Sequence, residues 1–407
     1  MSEPLSRRDF IRNTGMIAVG LVAPSWLSTI ARADMLRMDR GASLDPDCVL
    51  VVIQLSGGND GLNTVIPYAN DQYYQMRPNL AISREKVLTI NEQLGFHPAL
   101  KELAGLYKRG QVAVIQGVGY PKPNRSHFKS MDIWQSAAPE GPSGSGWIGR
   151  HFDVRLATGP LNPVVALGLS TEKPLALQAQ KASIPCFASL ADIQTMVGDP
   201  DTERMLRQIQ NGADANGQVV QQANKAALDA MATLRDKLKT YSPKEAYGES
   251  KFGVGFRQLA HLVATSPQTR VLYFSAGGFD THAHQADQHE KLLQGFSQGL
   301  GAFMAEMEAL GKSKKVMVMV FSEFGRRTYE NASAGTDHGA AAPMFLVGGR
   351  VKGGVYGPIP NLSDLADGDL KYAIDFRQVY ATALENWMGG DANATLGKKY
   401  DTLPVIG

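Results

Sequence analysis

Cys48-Val49-Leu50-Val51-Val52-Ile53-Gln54-Leu55 is a nearly unbroken apolar run that ends in Ser56-Gly57-Gly58-Asn59-Asp60-Gly61. A half-exposed strand alternates apolar and polar residues. A run this continuous has to be buried on both faces, as in a sheet covered by helices on each side. Working outward, Pro98 to Arg109 has a helical pattern and Gln111 to Gln116 follows as a strand. Val271 to Phe274 is another short strand running into a Gly-Gly turn, followed by a long helical pattern from Gln285 to Leu310. Lys315 to Phe321 and Met344 to Val347, the latter ending in Gly348-Gly349, complete the set. Strands alternating with helices predict an α/β fold with a mainly parallel sheet sandwiched by helices. From Asp201 to Val263 the chain is rich in Gln, Ala, Lys and Leu, which predicts a helical insertion (201–263) acting as a cap or interaction surface.

The N-terminus reads as an address. Ser6-Arg7-Arg8-Asp9-Phe10-Ile11 precedes a weakly apolar run broken by Gly15, Gly20 and Pro24, and Ala31-Arg32-Ala33 supplies a small-x-small cleavage pattern. This resembles a twin-arginine signal peptide (1–33), so the twin-arginine translocation machinery is the expected partner and the periplasm the expected destination. Cleavage would remove four arginines and two acids from 41 basic and 39 acidic residues, leaving 37 of each in a mature domain spanning 34–407. A neutral chain of ordinary composition argues against a dedicated nucleic-acid binder. No apolar segment of the mature part reaches spanning length, so no stable membrane span is expected there. The two cysteines, Cys48 and Cys186, lie in no C-x-x-C pair, which disfavours redox catalysis and thiolate zinc sites.

In doubly wound sheets, ligands bind beyond the carboxyl ends of the strands. Three strands here are followed by polar clusters at that end. The first holds Asp60. The second is Gly277-Gly278-Phe279-Asp280-Thr281-His282-Ala283-His284, and the third is Ser322-Glu323-Phe324-Gly325-Arg326-Arg327, with Asp337-His338-Gly339 beyond it. Asp60, Asp280, His282, His284, Glu323, Asp337 and His338 can therefore converge on one rim as metal ligands, and such oxygen and nitrogen donors suit Zn, Mn, Mg or Ca. Each also has a plain alternative: turn chemistry for Asp60, a helix N-cap for Asp280, and an ion pair with Arg326 or Arg327 for Glu323. Asn124-Arg125-Ser126-His127-Phe128 opens a helical pattern. Ser126 at a helix start suits a hydroxyl nucleophile or an anion contact, with Arg125 adding charge, or else it merely caps the helix. Ser56-Gly57-Gly58, the turn after the first strand, is no G-x-S-x-G elbow, which disfavours a standard serine hydrolase.

Leu55 to Thr64, Arg125-Ser126-His127-Phe128, Gly278-Phe279-Asp280-Thr281-His282, Ser322 to Arg326 and Asp337-His338-Gly339, taken in order, resemble the bacterial family catalogued as domain of unknown function 1501. That family is similar to the alkaline phosphatase and sulfatase superfamily. The resemblance implies an alkaline-phosphatase-like fold, Asp60 at the first metal-ligand position and Ser126 at the nucleophile. It further implies Asp280 with His284 as a D-x-x-x-H ligand pair, His282 being the alternative, and His338 as a late ligand. Glu323 stands where the superfamily usually has an Asp-His pair, which leaves one metal, or none, rather than two. The C-x-P-x-R sequence of sulfatases with a modified cysteine is absent around Cys186. Two functions follow as expectations: metal-assisted cleavage of a small anionic phosphate or sulfate ester, or a non-catalytic periplasmic binding or assembly role on a degenerate hydrolase fold.

Overall fold

The computed structural model describes residues 47–141, 143–191 and 229–407. The expected signal peptide (1–33) and part of the 201–263 insertion, up to residue 228, lie outside the described residues. The apolar run becomes β1 (Val49–Ser56), the centre of a nine-stranded sheet. Its partners are β2 (Val112–Gly119), β3 (Ala166–Leu169), β4 (Cys186–Phe187), β5 (Val271–Gly277), β6 (Val316–Phe321), β7 (Ala342–Gly348), β8 (Gly354–Tyr356) and β9 (Ile374–Asp375). The strand order is β8-β2-β7-β6-β1-β5-β3-β4, with β9 also on β2. β1 pairs in parallel with β5 and β6, in register Val52↔Tyr273 and Val52↔Met319.

The side chains of β1 alternate between two cores, which is why nearly every position is apolar. Val49, Val51, Ile53 and Leu55 face a core built with α1 (Lys101–Lys108), α4 (Lys251–Thr265) and α5 (Gln285–Ala309). Leu50 and Val52 face a second core built with α2 (His127–Ser136), α3 (Trp147–Leu156) and α6 (Phe376–Thr382). The fold is thus the expected α/β sandwich. Of the 201–263 stretch, the described part includes most of α4, which buries Phe252, Phe256 and Leu259 in the first core. Cys48 and Cys186 form no disulfide, and no described helix is long and apolar enough to cross a membrane.

One strand departs from the expected pattern. β7 runs antiparallel to both β6 and β2. Its Gly348-Gly349 end therefore lies at the opposite edge from the polar clusters, where Gly349 N donates to Ser313 O at 2.9 Å. Its beginning, at Ala342, lies at the carboxyl edge of β1 and β6, and the chain just before it delivers His338 there. The polar loops after β1, β5 and β6 and the loop before β7 meet along one edge of the sheet.

Candidate functional site

Close approach of the loops depends on glycine. Gly57 has φ +118°, and a Cβ there would stand 2.5 Å from the backbone nitrogen of Asp280. Any side chain would push the loops after β1 and β5 apart. Gly339 packs equally tightly, its added Cβ falling 2.4 Å from the carbonyl carbon of Arg326. The backbone of Arg326 pairs with that of His338 in a short antiparallel bridge, which ties the two ends of the β6–β7 connection together. Arg326, buried, donates to the carbonyls of Gly57, Gly58, Phe279 and Thr336. One guanidinium thereby ties together the four segments that build the site.

Asp280 sits at the centre. Its Oδ1 lies 2.8 Å from Arg326 Nη2, 3.0 Å from His338 Nε2, 3.0 Å from His282 Nε2 and 3.3 Å from His127 Nε2. Burial would raise its carboxyl, but Arg326 and the histidines hold it well below the usual carboxylate range. Among the described residues, the metal-binding side chains close enough to share one ion are His127, Asp280 and His338. His127 is the member that the sequence reading missed. It is the first residue of α2, a helix fixed from below by Trp134, which stacks on Phe321 and Phe376.

The outer nitrogens of the three histidines determine what the inner ones can do. His127 Nδ1 lies 3.0 Å from Glu323 Oε1, His338 Nδ1 is 2.7 Å from Arg125 O, and His282 Nδ1 is 3.3 Å from Asp337 Oδ1. A carbonyl or carboxylate oxygen only accepts, so each outer contact calls for a proton on Nδ1, and each contact with Asp280 Oδ1 calls for a proton on Nε2 or a cation in its place. With the proton on Nδ1 of a neutral ring, each Nε2 is a bare lone pair, and all three point at a carboxylate oxygen. His282 Nε2 and His338 Nε2 are only 2.9 Å apart, and His127 Nε2 is buried without a hydrogen-bond partner. Lone pairs facing one another at that distance repel unless a positive charge lies among them. The hydrogen bond that His127 donates to Glu323 raises its imidazole, whereas burial lowers that of His338.

The remaining candidates fall into two groups. Glu323 and Asp337 are partners of ligands. Glu323, fully buried, accepts from His127 and from Gly57 N at 2.7 Å, and Asp337 accepts from His282 and from Asn331 at 3.2 Å. The ion pair of Glu323 with Arg326 or Arg327 is not formed, because Arg326 spends its donors on the loop carbonyls and Asp280. Ser126 is the N-cap residue of α2 by position, but its side chain makes no capping bond and is exposed. Asp280 caps no helix; His284 precedes α5.

Three residues are placed elsewhere, each for a physical reason. Asp60 is not in the cluster: it caps the helical turn Gly61–Thr64, and its Oδ2 accepts from Arg77 and Gln285, both at 2.5 Å. Burial would push its carboxyl up, but Arg77 keeps it lowered. Arg125 does not reach an anion site, because Asp369 and Asp367 hold its guanidinium at 2.6 and 2.9 Å; only its carbonyl serves the site, through His338. His284 stands exposed with φ 47° at the start of α5, outside the cluster, and does not form a ligand pair with Asp280.

These features define an α/β protein with a histidine–carboxylate centre at the carboxyl edge of its sheet. The chain matches, over residues 48–399, the family described as protein of unknown function DUF1501, and it belongs to that family. No curated protein matches it. Among solved structures it is similar to a protein of the alkaline phosphatase superfamily from Vibrio parahaemolyticus, at 8% identity and TM-score 0.41, covering 87% of this chain and 70% of that one. It is also similar to the PsFucS1 sulfatase from Pseudoalteromonas sp., at 10% identity and TM-score 0.39, covering 94% and 75%. A third is the periplasmic domain of EptC from Escherichia coli in complex with Zn, at 9% identity and TM-score 0.34, covering 76% and 74%. With every TM-score below 0.5, the reading of the site rests on its own geometry.

Proposed function

We propose that the chain is an exported hydrolase that cleaves a phosphate or sulfate ester with the help of one divalent metal. The observation that carries this reading is the convergence of three Nε2 atoms on Asp280 Oδ1, with every Nδ1 held against an outer acceptor oxygen. His127, Asp280 and His338 would hold the ion, with His282 beside them, and such a donor set of two or three imidazoles and a carboxylate suits Zn and related divalent ions. A cation bound there supplies Lewis-acid stabilisation to the ester oxygens. Glu323, Asp337 and the Arg125 carbonyl fix the tautomer and ring orientation of the three histidines. Ser126 offers a hydroxyl at the N-terminus of α2, where unsatisfied backbone N–H groups and the helix dipole favour an anionic group. The withdrawal of Asp60 into its pair with Arg77 supports one metal rather than two. The resemblance of residues 1–33 to a twin-arginine signal peptide supports export.

The test is elemental analysis of purified protein joined to turnover on phosphate and sulfate esters. One equivalent of metal is expected, and Asp280→Ala should lose both metal and turnover. A metal-free preparation that cleaves no ester after metal is added back would defeat the proposal and favour the non-catalytic role, with a protonated histidine supplying the positive charge. Glu323→Gln should weaken metal affinity by roughly 10–100-fold, measured by competition with a chelator. Ser126→Ala should abolish turnover yet change stability by less than about 0.5 kcal/mol, because its hydroxyl caps nothing. Full turnover in that variant would remove Ser126 from the nucleophile position.

A further inference from the structure

Among the described residues, Phe128 is the most exposed large hydrophobic side chain, 79% open to solvent against 51% for the next, Tyr329. A lone apolar side chain on a surface is ordinary. This one is set apart by its place, directly after His127 in the first turn of α2. Helical periodicity fixes the way it faces, because residues seven apart share a stripe. Trp134, on the stripe of His127, stacks on Phe321, so that stripe lies over β6. Gln135, on the stripe of Phe128, donates to Gln54 of β1 at 2.9 Å and to Tyr273 of β5 at 3.3 Å. Met131, between the two stripes, meets Ser56 Oγ at the end of β1. Phe128 therefore stands on the flank of α2 that looks toward the carboxyl end of β5. Side chains on a helix lean toward its N-terminus, which for α2 is the end at the histidine centre.

On that flank the sheet ends in an open shelf. Val271 and Tyr273 of β5 point into the core shared with α2, so by alternation Ser275 and Gly277 lie on the same face. Both are only half-buried, as is Ser56, which pairs in register with Gly277. A Cβ built on Gly277 would meet, its chain neighbours aside, no atom nearer than Ser56 O at 3.8 Å. Gly277 leads within three residues to Asp280, whose Oδ1 lies 3.3 Å from His127 Nε2. The exposed ring, the bare backbone of the shelf and the histidine centre therefore adjoin.

We propose that Phe128 determines specificity for the alcohol side of the substrate: its ring stacks on the apolar face of a six-membered ring, aryl or alicyclic, that lies over the shelf at Gly277 while the anionic group sits at the histidines. Phenylalanine offers no hydrogen bond, only a π face and edge, and the partner such a surface selects is another ring or a flat C–H face. The glycine matters because a side chain there would occupy the space the bound ring needs. Placing the anionic group at the histidines rests on the ester-hydrolase reading; the stacking itself needs no turnover.

The experiment is an NMR titration of the full chain, as purified, with phenylphosphonate, cyclohexylphosphonate and methylphosphonate, which share a non-hydrolysable anion and differ in the ring. Wild-type protein should bind the better ring probe about fivefold tighter than methylphosphonate, the worth of one aromatic contact. Which of the two rings binds tighter tells an aryl from an alicyclic group. Phe128→Ala should bring the ratio below about twofold, and Phe128→Trp should keep it at about fivefold or more. Gly277→Val, which puts a side chain on the shelf, should lower the ratio as well. The ratio is the readout because a disturbance of His127 weakens all three probes alike. A ratio near one in the wild type, or a full ratio surviving in Phe128→Ala or Gly277→Val, overturns the proposal. Ring preference without ester turnover upholds the subsite where the cleavage reading has failed. Equal affinities alongside metal-dependent turnover sink the subsite alone, and failure of all three phosphonates to bind removes the anion seat and the subsite together.

Discussion

Replacing Arg77 with methionine is expected to destabilise the protein by about 3–5 kcal/mol, the usual cost of stranding one member of a buried ion pair. Arg77 and Asp60 are both fully buried in side chain, and the guanidinium also donates to Asn63 Oδ1 at 2.9 Å. Its other nitrogens bond the carbonyls of Thr328 at 2.9 Å and Arg327 at 2.8 Å, in the loop that leads from β6 toward His338. Methionine fills most of the volume but returns none of these donors, leaving a buried carboxylate opposite an apolar group. The measurement is the midpoint of urea unfolding, and a loss under about 1 kcal/mol would show that the pair is dispensable. Adding Asp60→Asn to Arg77→Met should recover part of the loss, because it removes the stranded charge; the cycle isolates the coupling. Asp60→Asn alone should leave metal stoichiometry unchanged. Should it abolish metal binding in a folded protein, Asp60 is a ligand after all and the ion pair is not its role.

That ion pair also shows where the sequence stops being legible. The core strand could be read because burial on both faces writes itself into nearly every position from Val49 to Leu55. The rim could be read because Asp280 and His338 lie in loops that adjoin strand ends. The direction of β7 could not, since antiparallel and parallel strands share the same local hydrophobicity and the difference lies only in which end meets the site. His127 stood in the quoted segment beside Ser126, yet nothing local marks it: its partner Glu323 is 196 residues away. Arg125 looked like an anion binder because its captors, Asp367 and Asp369, are more than 240 residues distant. Asp60 failed for the same reason at shorter range. Chain position reveals which residues can reach the rim, whereas the competition among charges there is settled only by the fold.

Acid should unfold the protein well before its carboxylates are fully protonated. His97, His151 and His289 are almost wholly buried, and burial pushes their imidazoles down to about 4, about 4 and about 3. Their surroundings explain why no charge is tolerated. Both ring nitrogens of His151 are without hydrogen-bond partners. His97 Nδ1 accepts from Ala99 N at 3.1 Å, and His289 Nε2 sits 2.9 Å from Asn59 Oδ1. In the unfolded chain each imidazole protonates near its ordinary value of 6.5, so between that pH and the folded value the unfolded state binds more protons. Stability is therefore fully present above about pH 6.5 and is lost as pH falls toward 4, by on the order of 3 kcal/mol for each of the three groups. Urea midpoints measured from pH 7.5 down to 4.5 should fall steeply below about pH 6, and His151→Phe should flatten the slope by roughly one proton's worth. His151→Phe retains ring volume and gives up no hydrogen bond, so an unchanged slope in that variant would mean that His151 already carries a proton, or water, inside the fold.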